Sequence, residues 1–88
     1  MYTDRPEWVE FIADSLIIDH VIDWFGKDAR ISKYGDDEKQ IKVAVRVSPM
    51  AMEHWAMQYA KYVEVTAPQH LRERIRASLE KATEHYRK

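Results

Sequence analysis

The sequence has no cysteine, and it has only two glycines and three prolines among its 88 residues. Without cysteine the chain has no disulfide framework, no thiolate nucleophile and no cysteine-based zinc site. Two glycines are too few for the glycine-rich loops that cradle phosphates in nucleotide-dependent enzymes. No apolar run approaches the roughly 18 residues of a membrane span, and the N-terminus lacks a signal-peptide pattern. We therefore expect a soluble, cytoplasmic protein without membrane contact.

The chain also lacks an excess of either charge: 14 basic residues stand against 15 acidic ones, for a net charge of -1. This balance gives no reason to expect a polyanionic partner. A hydrophobic share of 45% and an aromatic share of 11% are typical of folded globular chains. The length suits one modest core, so residues 1–88 are predicted to form a single domain with residues 1–7 as a lead-in.

The clearest local pattern is a strand followed by a helix and a second strand. In the segment 41–47 every second residue is apolar, which predicts a strand with one buried face; the alternating residues are Ile41, Val43, Val45 and Val47. Ser48 and Pro49 have the residue types that begin a helix, at the N-cap and the first helical position. An apolar stripe then follows at helical spacing, formed by Met52, Trp55, Ala56 and Tyr59. Residues 62–65 are the second strand.

Other segments complete the predicted order of elements. Residues 8–13 predict a central strand, and Asp14 or Ser15 caps a helix that runs to Phe25 with a wide apolar face that includes Trp24. Gly26 then suits a left-handed C-cap. An edge strand over 29–34, with Ala29 and Ile31 inward, precedes a turn at 35–37. A final helix starts within 66–69, and its apolar stripe comprises Leu71, Ile75, Leu79, Ala82 and Tyr86.

The resulting order is β-α-β-β-α-β with one more helix. It predicts an α+β fold, namely a ferredoxin-like βαββαβ sandwich with an additional C-terminal helix. The stripe on that last helix is too apolar to remain in water, so we expect the helix to dock on its own sheet or on a neighbouring molecule.

Catalytic and metal sites are not indicated by the sequence. His20 with its acidic neighbours, and His70 with Glu73, each place two ligand types on one helical face, but zinc sites need three or four ligands. The serines lack a nucleophile elbow and convincing partners. We therefore predict no enzymatic activity, no catalytic residues, no metal and no cofactor.

Basic side chains are the remaining candidates for a binding site. Lys42 and Arg46 occupy outward positions of the strand 41–47, and Arg72 and Arg76 lie on the last helix beside acidic residues. We interpret these four as possible ligand or partner contacts, although a solvated face explains them more simply. The element order is shared with the RNA-recognition fold, but that fold stacks bases on central-strand aromatics, and 41–47 has none.

Several segments in the same order resemble a known family: 21–28 (VIDWFGKD), alternating valines at 43–47, Trp55 to Tyr59 (WAMQY), and 63–72 (VEVTAPQHLR). They are similar to the C-terminal extension, or WCX domain, of bacterial WYL-domain transcriptional regulators. The similarity runs from about residue 8 to Tyr86. One departure is Ala60, where the family commonly has glycine at the end of the tryptophan-containing helix.

The resemblance implies a regulatory module that makes dimer or interdomain contacts and responds to an effector, such as a small molecule or nucleotide. It also implies that the 88 residues are a fragment of a larger regulator, with helix-turn-helix and WYL domains as partners, or a stand-alone remnant. A small-molecule sensor of the ACT type and a pure dimerisation module remain open as alternatives. Because the charge is balanced and the helices alternate with strands, we expect no direct binding of duplex DNA.

Overall fold

The computed structural model describes residues 5–35 and 39–87. Within these ranges it has four strands and three α-helices. The strands are β1 (Glu7–Asp14), β2 (Arg30–Tyr34), β3 (Gln40–Val47) and β4 (Val63–Ala67); the helices are α1 (Ile18–Phe25), α2 (Pro49–Gln58) and α3 (Gln69–Glu84). Short 3-10 turns precede and follow α1, at Ser15–Ile17 and Gly26–Asp28. The α+β class predicted from the sequence is confirmed.

The four strands form one antiparallel sheet in the order β2-β3-β1-β4. In the register, Trp8 lies opposite Arg46 and Phe11 opposite Val43 on β3, and Phe11 pairs with Val65 on the other side. A register shift interrupts the β1–β4 pairing beside Glu10. The strand 8–13 is therefore central, as predicted, and the edges of the sheet are β2 and β4.

One face of the sheet carries the hydrophobic core, because every buried strand residue points to that side. These residues are Val9, Phe11, Ala13, Ile41, Val43, Val45 and Val65. All three helices contribute to the same cluster, with α2 at its centre. The ring of Trp55 lies 5.3 Å from that of Phe11 and 4.9 Å from that of Phe25, which brings α1, α2 and the central strand together. The predicted burial of Trp55 is confirmed.

Helix α2 begins as its sequence predicts. The Ser48 side chain accepts a hydrogen bond from the N–H of Ala51 at 3.4 Å, and Pro49 occupies the first helical position. Helix α2 ends at a turn in which the N–H of Tyr62 donates to the carbonyl of Tyr59 at 2.8 Å. This turn contains Ala60, so the chain reverses here without the glycine that the family commonly has.

The predicted wide apolar face of α1 is wrong. A 3-10 turn takes the first residues of the predicted helix, with Asp14 accepting a hydrogen bond from the N–H of Leu16 at 3.0 Å. The remaining eight residues bury only Val21 and Phe25, whereas Trp24 is 58% exposed. Helix α1 thus contacts the core along a stripe one residue wide. Gly26 follows it at a φ of 60°, which suits glycine, although its ψ of −140° lies outside the predicted left-handed conformation.

Two other details differ from the prediction. Strand β4 extends through Thr66 to Ala67, two residues past its predicted end, and the Thr66 hydroxyl donates to the carbonyl of Glu10 at 3.1 Å across the strand pair; α3 then starts at Gln69, within the predicted range 66–69. Ile31 pairs with Val43 and so faces the helices, yet it stays partly exposed because β2 is an edge strand beyond their cover. Gly35 has the positive φ of the predicted turn, and the rest of that turn lies outside the described residues.

Helix α3 packs along β4 and α2 with its first half only. Leu71 and Ile75 are buried in the common core, Leu79 is partly exposed, and the stripe beyond it reaches solvent. Tyr86, just after the helix, is 89% exposed. Within the described ranges, no helix is both long enough and apolar enough to cross a membrane.

Candidate functional site

The sheet face opposite the helices, here called the outer face, is largely open. It carries Trp8, Glu10, Ile12, Arg30, Ser32, Lys42, Ala44 and Arg46, each exposed or only partly buried. Strand alternation places Lys42 and Arg46 on this face, as the sequence predicted. Lys42 Nζ lies 3.5 Å from the Glu10 carboxylate, so its charge is matched by a neighbour. The described residues supply no such acidic partner for Arg46.

Trp8 is the most prominent apolar group on the outer face, with 52% of its surface exposed. The guanidinium carbon of Arg30 lies 5.0 Å from the centroid of its ring, which is a cation–π distance. Arg46 is the residue directly opposite Trp8 on β3, and Arg30 lies opposite Ala44 on β2. Residues directly opposite each other on paired strands share a face. The Arg30 guanidinium therefore packs against the indole ring of Trp8, and Arg46 is the neighbour of Trp8 on β3, so both arginines lie on the same side of β1.

A second surface is the groove between the edge strand β4 and helix α3, here called the α3–β4 groove. Its volume is about 380 Å³, and its apolar floor is formed by Val63, Val65, Ile75 and Leu79. Charged side chains border it, including Arg72, Arg76 and Arg87 with Glu64 and Glu80. The groove is open along the exposed half of α3.

Arg72 closes the β4 edge beside this groove. Its Nη1 donates to the backbone carbonyl of Val65 and to the carboxylate of Glu64, each at 2.9 Å. The N–H of Asp14 donates to the carbonyl of Tyr62, so alternation along β4 turns the backbone groups of Val65 away from β1. An edge carbonyl that would otherwise attract a further strand is thus occupied by a side chain of the same chain.

The other arginines of α3 are also engaged within the chain. Arg76 Nη1 lies 3.7 Å from the carboxylate of Glu73, one turn earlier, and Arg76 Nε lies 3.3 Å from the carboxylate of Glu80, one turn later. Arg74 Nε lies 2.9 Å from the Glu53 carboxylate on α2, although that oxygen is not aligned to accept a hydrogen bond. The structure therefore places the predicted contact residues on two surfaces: Lys42 and Arg46 on the outer face, and Arg72 and Arg76 at the groove.

The histidines take part in local side-chain contacts. His20 Nδ1 lies 3.4 Å from the Tyr59 hydroxyl, and His70 Nε2 lies 3.2 Å from the Glu7 carboxylate. Over residues 5–35 and 39–87, no three histidine or acidic side chains are grouped closely enough to hold a metal ion.

Sequence reasoning missed the pairing of Trp8 with Arg30. The lack of outward aromatics on the strand 41–47 argued against base stacking, although the neighbouring central strand carries Trp8 on its outward face. The sequence does indicate the outward position of Trp8. Val9 and Phe11 belong to the core, and successive side chains of a strand point to opposite faces, so Trp8 faces away from the core. The contribution of Arg30 follows only from the β2–β3 register, which the sequence does not specify.

The comparison with protein families gives one match, to the WCX domain, over residues 5–83. No curated protein matches the chain. The matched region begins before β1 and ends within the last turn of α3, so it includes the whole sheet, the outer face and the α3–β4 groove except Arg87. It also contains the segments whose resemblance to WYL-domain regulators is described above. The chain belongs to the WCX domain family of WYL-type transcriptional regulators.

Proposed function

We propose that this chain is a non-catalytic regulatory module of a bacterial WYL-type transcriptional regulator, and that it acts by making dimer or interdomain contacts. Membership of the WCX family supports the regulatory role. We further propose that the domain is a ferredoxin-like sandwich, which the β2-β3-β1-β4 order and the βαββαβ succession support. The cytoplasm is the expected location for such a regulator.

The observation that carries the contact proposal is the uncovered half of α3. Leu79, Ala82 and Tyr86 continue the stripe of Leu71 and Ile75, but they extend past the core that covers those two residues. Exposing such a stripe costs free energy because its apolar surface stays in water. A contact with another folded surface would remove that cost, and so we assign the contact to α3 and the α3–β4 groove.

A second copy of the chain fits this surface in one arrangement. If two α3 helices pack antiparallel about a two-fold axis at Leu79, the residue seven positions later, Tyr86, lies opposite Arg72 of the other copy. The exposed ring of Tyr86 then meets the groove that Arg72 borders. An isologous interface requires this kind of self-complementarity.

Sedimentation velocity tests the proposal. At hundreds of micromolar the chain should sediment partly as a dimer, whereas Leu79→Glu should sediment as a monomer because a charge then lies on the axis. Leu16→Glu is the matched control, since Leu16 is 80% exposed and lies beside α1 and not on α3. Far-UV circular dichroism should show that both variants remain folded.

A wild-type chain that is monomeric throughout would exclude self-association. The proposed α3 surface would then have to bind another domain of the parent regulator, and mixing this chain with the WYL domain in the same experiment would test that alternative. If Leu16→Glu dissociates the dimer as well as Leu79→Glu does, the contact is not made by α3.

A further inference from the structure

We propose that the free edge of strand β2 binds an extended acidic segment of a partner protein, which pairs antiparallel with β2 as a fifth strand of the sheet. This surface is separate from the α3–β4 groove, because the two lie at opposite edges of the sheet, and it does not depend on the α3 contact proposed above. Three features of β2 support the pairing: the direction of its backbone groups, the cleft beside it and the charges that it carries.

The first feature is a free backbone edge. The N–H of Ser15 donates to the carbonyl of Lys39 at 2.9 Å, so alternation along β3 directs the backbone groups of its odd-numbered residues towards β1 and those of its even-numbered residues towards β2. In the β2–β3 register Ser32 lies opposite Lys42, so the backbone groups of Ser32 face β3 and those of Ile31 face outward. In the part of the chain that the structure describes, no group bonds to the outward N–H and carbonyl of Ile31. An additional strand pairs with backbone groups of this kind.

The two edges of the sheet differ in this respect. At the β4 edge, Arg72 donates to the carbonyl of Val65 at 2.9 Å and so occupies an outward acceptor. The carbonyl of Ile31 at the β2 edge has no such donor among the described residues. The fold thus protects one edge with its own side chain and leaves the other available to a partner.

The second feature is a cleft of about 570 Å³ on the helix side of β2, where the edge strand lies beyond the cover of the helices. Its apolar lining is formed by Ile18 of α1 with Ile31 and Ile41, and Ile31 is 37% exposed. In an antiparallel pair, the residue directly opposite Ile31 places its side chain on the same face of the sheet. An apolar side chain at that position of the partner would therefore enter the cleft and cover Ile31.

The third feature is the charge of β2, which selects the partner. The strand carries two basic residues, Arg30 and Lys33, and no acidic one. Arg30 packs against Trp8 and has no carboxylate partner in the described ranges. Pairing β2 with β2 of a second copy would bring the basic residues of both strands into one seam, where like charges are destabilising. An acidic strand matches them instead, and so the partner segment alternates apolar residues, which face the cleft, with acidic ones.

The test is heteronuclear NMR on the whole isotope-labelled chain, titrated with a ten-residue peptide of alternating valine and glutamate. We expect the amide of Ile31 to shift and to become protected from hydrogen exchange, because its N–H gains an acceptor. The amide of Ser32 is the internal control, since its partner on β3 protects it with and without the peptide.

Peptide variants test whether backbone pairing and charge make the contact. In an antiparallel pair the valines that face the cleft also direct their N–H groups towards Ile31. Methylating the valine nitrogens should therefore weaken binding at least about tenfold, whereas methylating the glutamate nitrogens, on the far edge of the peptide, should change it little. A peptide of alternating valine and lysine keeps the apolar pattern but reverses the charge, and it should bind at least about fivefold more weakly.

Variants of the chain locate the site. Ile31→Pro removes the outward N–H, which an edge strand tolerates because that group has no partner within the sheet, and it should abolish binding. Ile31→Val is the matched control, because it retains the N–H and an apolar side chain, and it should bind like the wild type. Circular dichroism checks that both are folded. Arg30→Gln leaves every backbone group in place and should narrow the difference in affinity between the glutamate and lysine peptides.

The proposal is overturned if the glutamate peptide at millimolar concentration leaves the amide of Ile31 unshifted, or if the two methylated peptides bind equally well. It is also overturned if the lysine peptide binds as tightly as the glutamate peptide. A shift of the same amide on raising the protein concentration alone would overturn it too, because a second copy would then occupy the edge. The α3 contact has its own test, since Leu79→Glu leaves β2 unchanged.

Discussion

At the scale of single residues, the three tryptophans occupy three different environments. Trp55 is 2% exposed at the centre of the core, Trp24 is 58% exposed on α1, and Trp8 is 52% exposed on the outer face. Spacing along a helix predicted burial for the first two and was right for Trp55 alone. The difference lies in what each helix meets: α2 lies over the central strand, whereas α1 is short and contacts the core with a narrow stripe.

The burial of Trp55 leads to a stability prediction. Trp55→Ala should lower the free energy of unfolding by about 3–5 kcal/mol, because the cavity it leaves is bordered by Phe11 and Phe25 and cannot close fully. Urea denaturation followed by circular dichroism measures this loss. Trp24→Ala is the control and should change stability by only about 0.5 kcal/mol, as is usual for surface sites. A loss below about 1 kcal/mol for Trp55→Ala would contradict its central role in the core.

At the scale of elements, local patterns predicted which residues of a strand face the core better than they predicted where an element ends. The alternation of apolar residues over 41–47 defined β3, because successive side chains of a strand point to opposite faces. The start of α3 at Gln69 lies within the predicted range 66–69, but β4 extends past its predicted end at Val65, because the hydroxyl of Thr66 bonds to the carbonyl of Glu10, 56 positions away in sequence. Contacts of that kind depend on which strands become neighbours, and no local pattern contains that information.

Helix α2 provides the prediction at this scale. Ser48→Ala should cost about 1 kcal/mol or less, since the N–H of Ala51 loses its side-chain acceptor at the start of the helix. The bond is long at 3.4 Å, which places the expected loss in the lower part of the range for caps. Ser48→Asp retains a capping oxygen and should keep most of the stability. Equal losses for the two variants in urea denaturation would show that the cap hydrogen bond is not the cause.

At the scale of the whole molecule, the four basic residues that were predicted as contacts because of their charge lie on two different surfaces. Arg72 and Arg76 are held by Glu64, Glu73 and Glu80, so their charges are largely matched within the chain. Arg46 has no acidic partner among residues 5–35 and 39–87, and it lies opposite Trp8, whose indole ring is exposed. The sequence could indicate which residues are basic, but whether each charge is already paired depends on the packing of α3 and on the strand register.

The additional C-terminal helix α3 is also important at this scale. Its first half completes the core beside α2 and β4, and its second half carries the remaining apolar residues into solvent. The sequence predicted that this helix must dock, and left open whether on its own sheet or on another molecule. In the structure the docking within the chain is only half complete. The proposed regulatory function therefore depends on a contact between the exposed half of α3 and a second molecule.

Cysteine cross-linking tests this contact most directly, because the natural chain has no cysteine to compete. In the proposed antiparallel arrangement, residue 79 lies on the two-fold axis and faces its own copy. Leu79→Cys should therefore give a covalent dimer with a short bis-maleimide cross-linker, whereas Leu16→Cys should stay monomeric under the same conditions. If both variants cross-link equally, or if Leu79→Cys gives no dimer at hundreds of micromolar protein, the proposed α3 contact between two copies is contradicted.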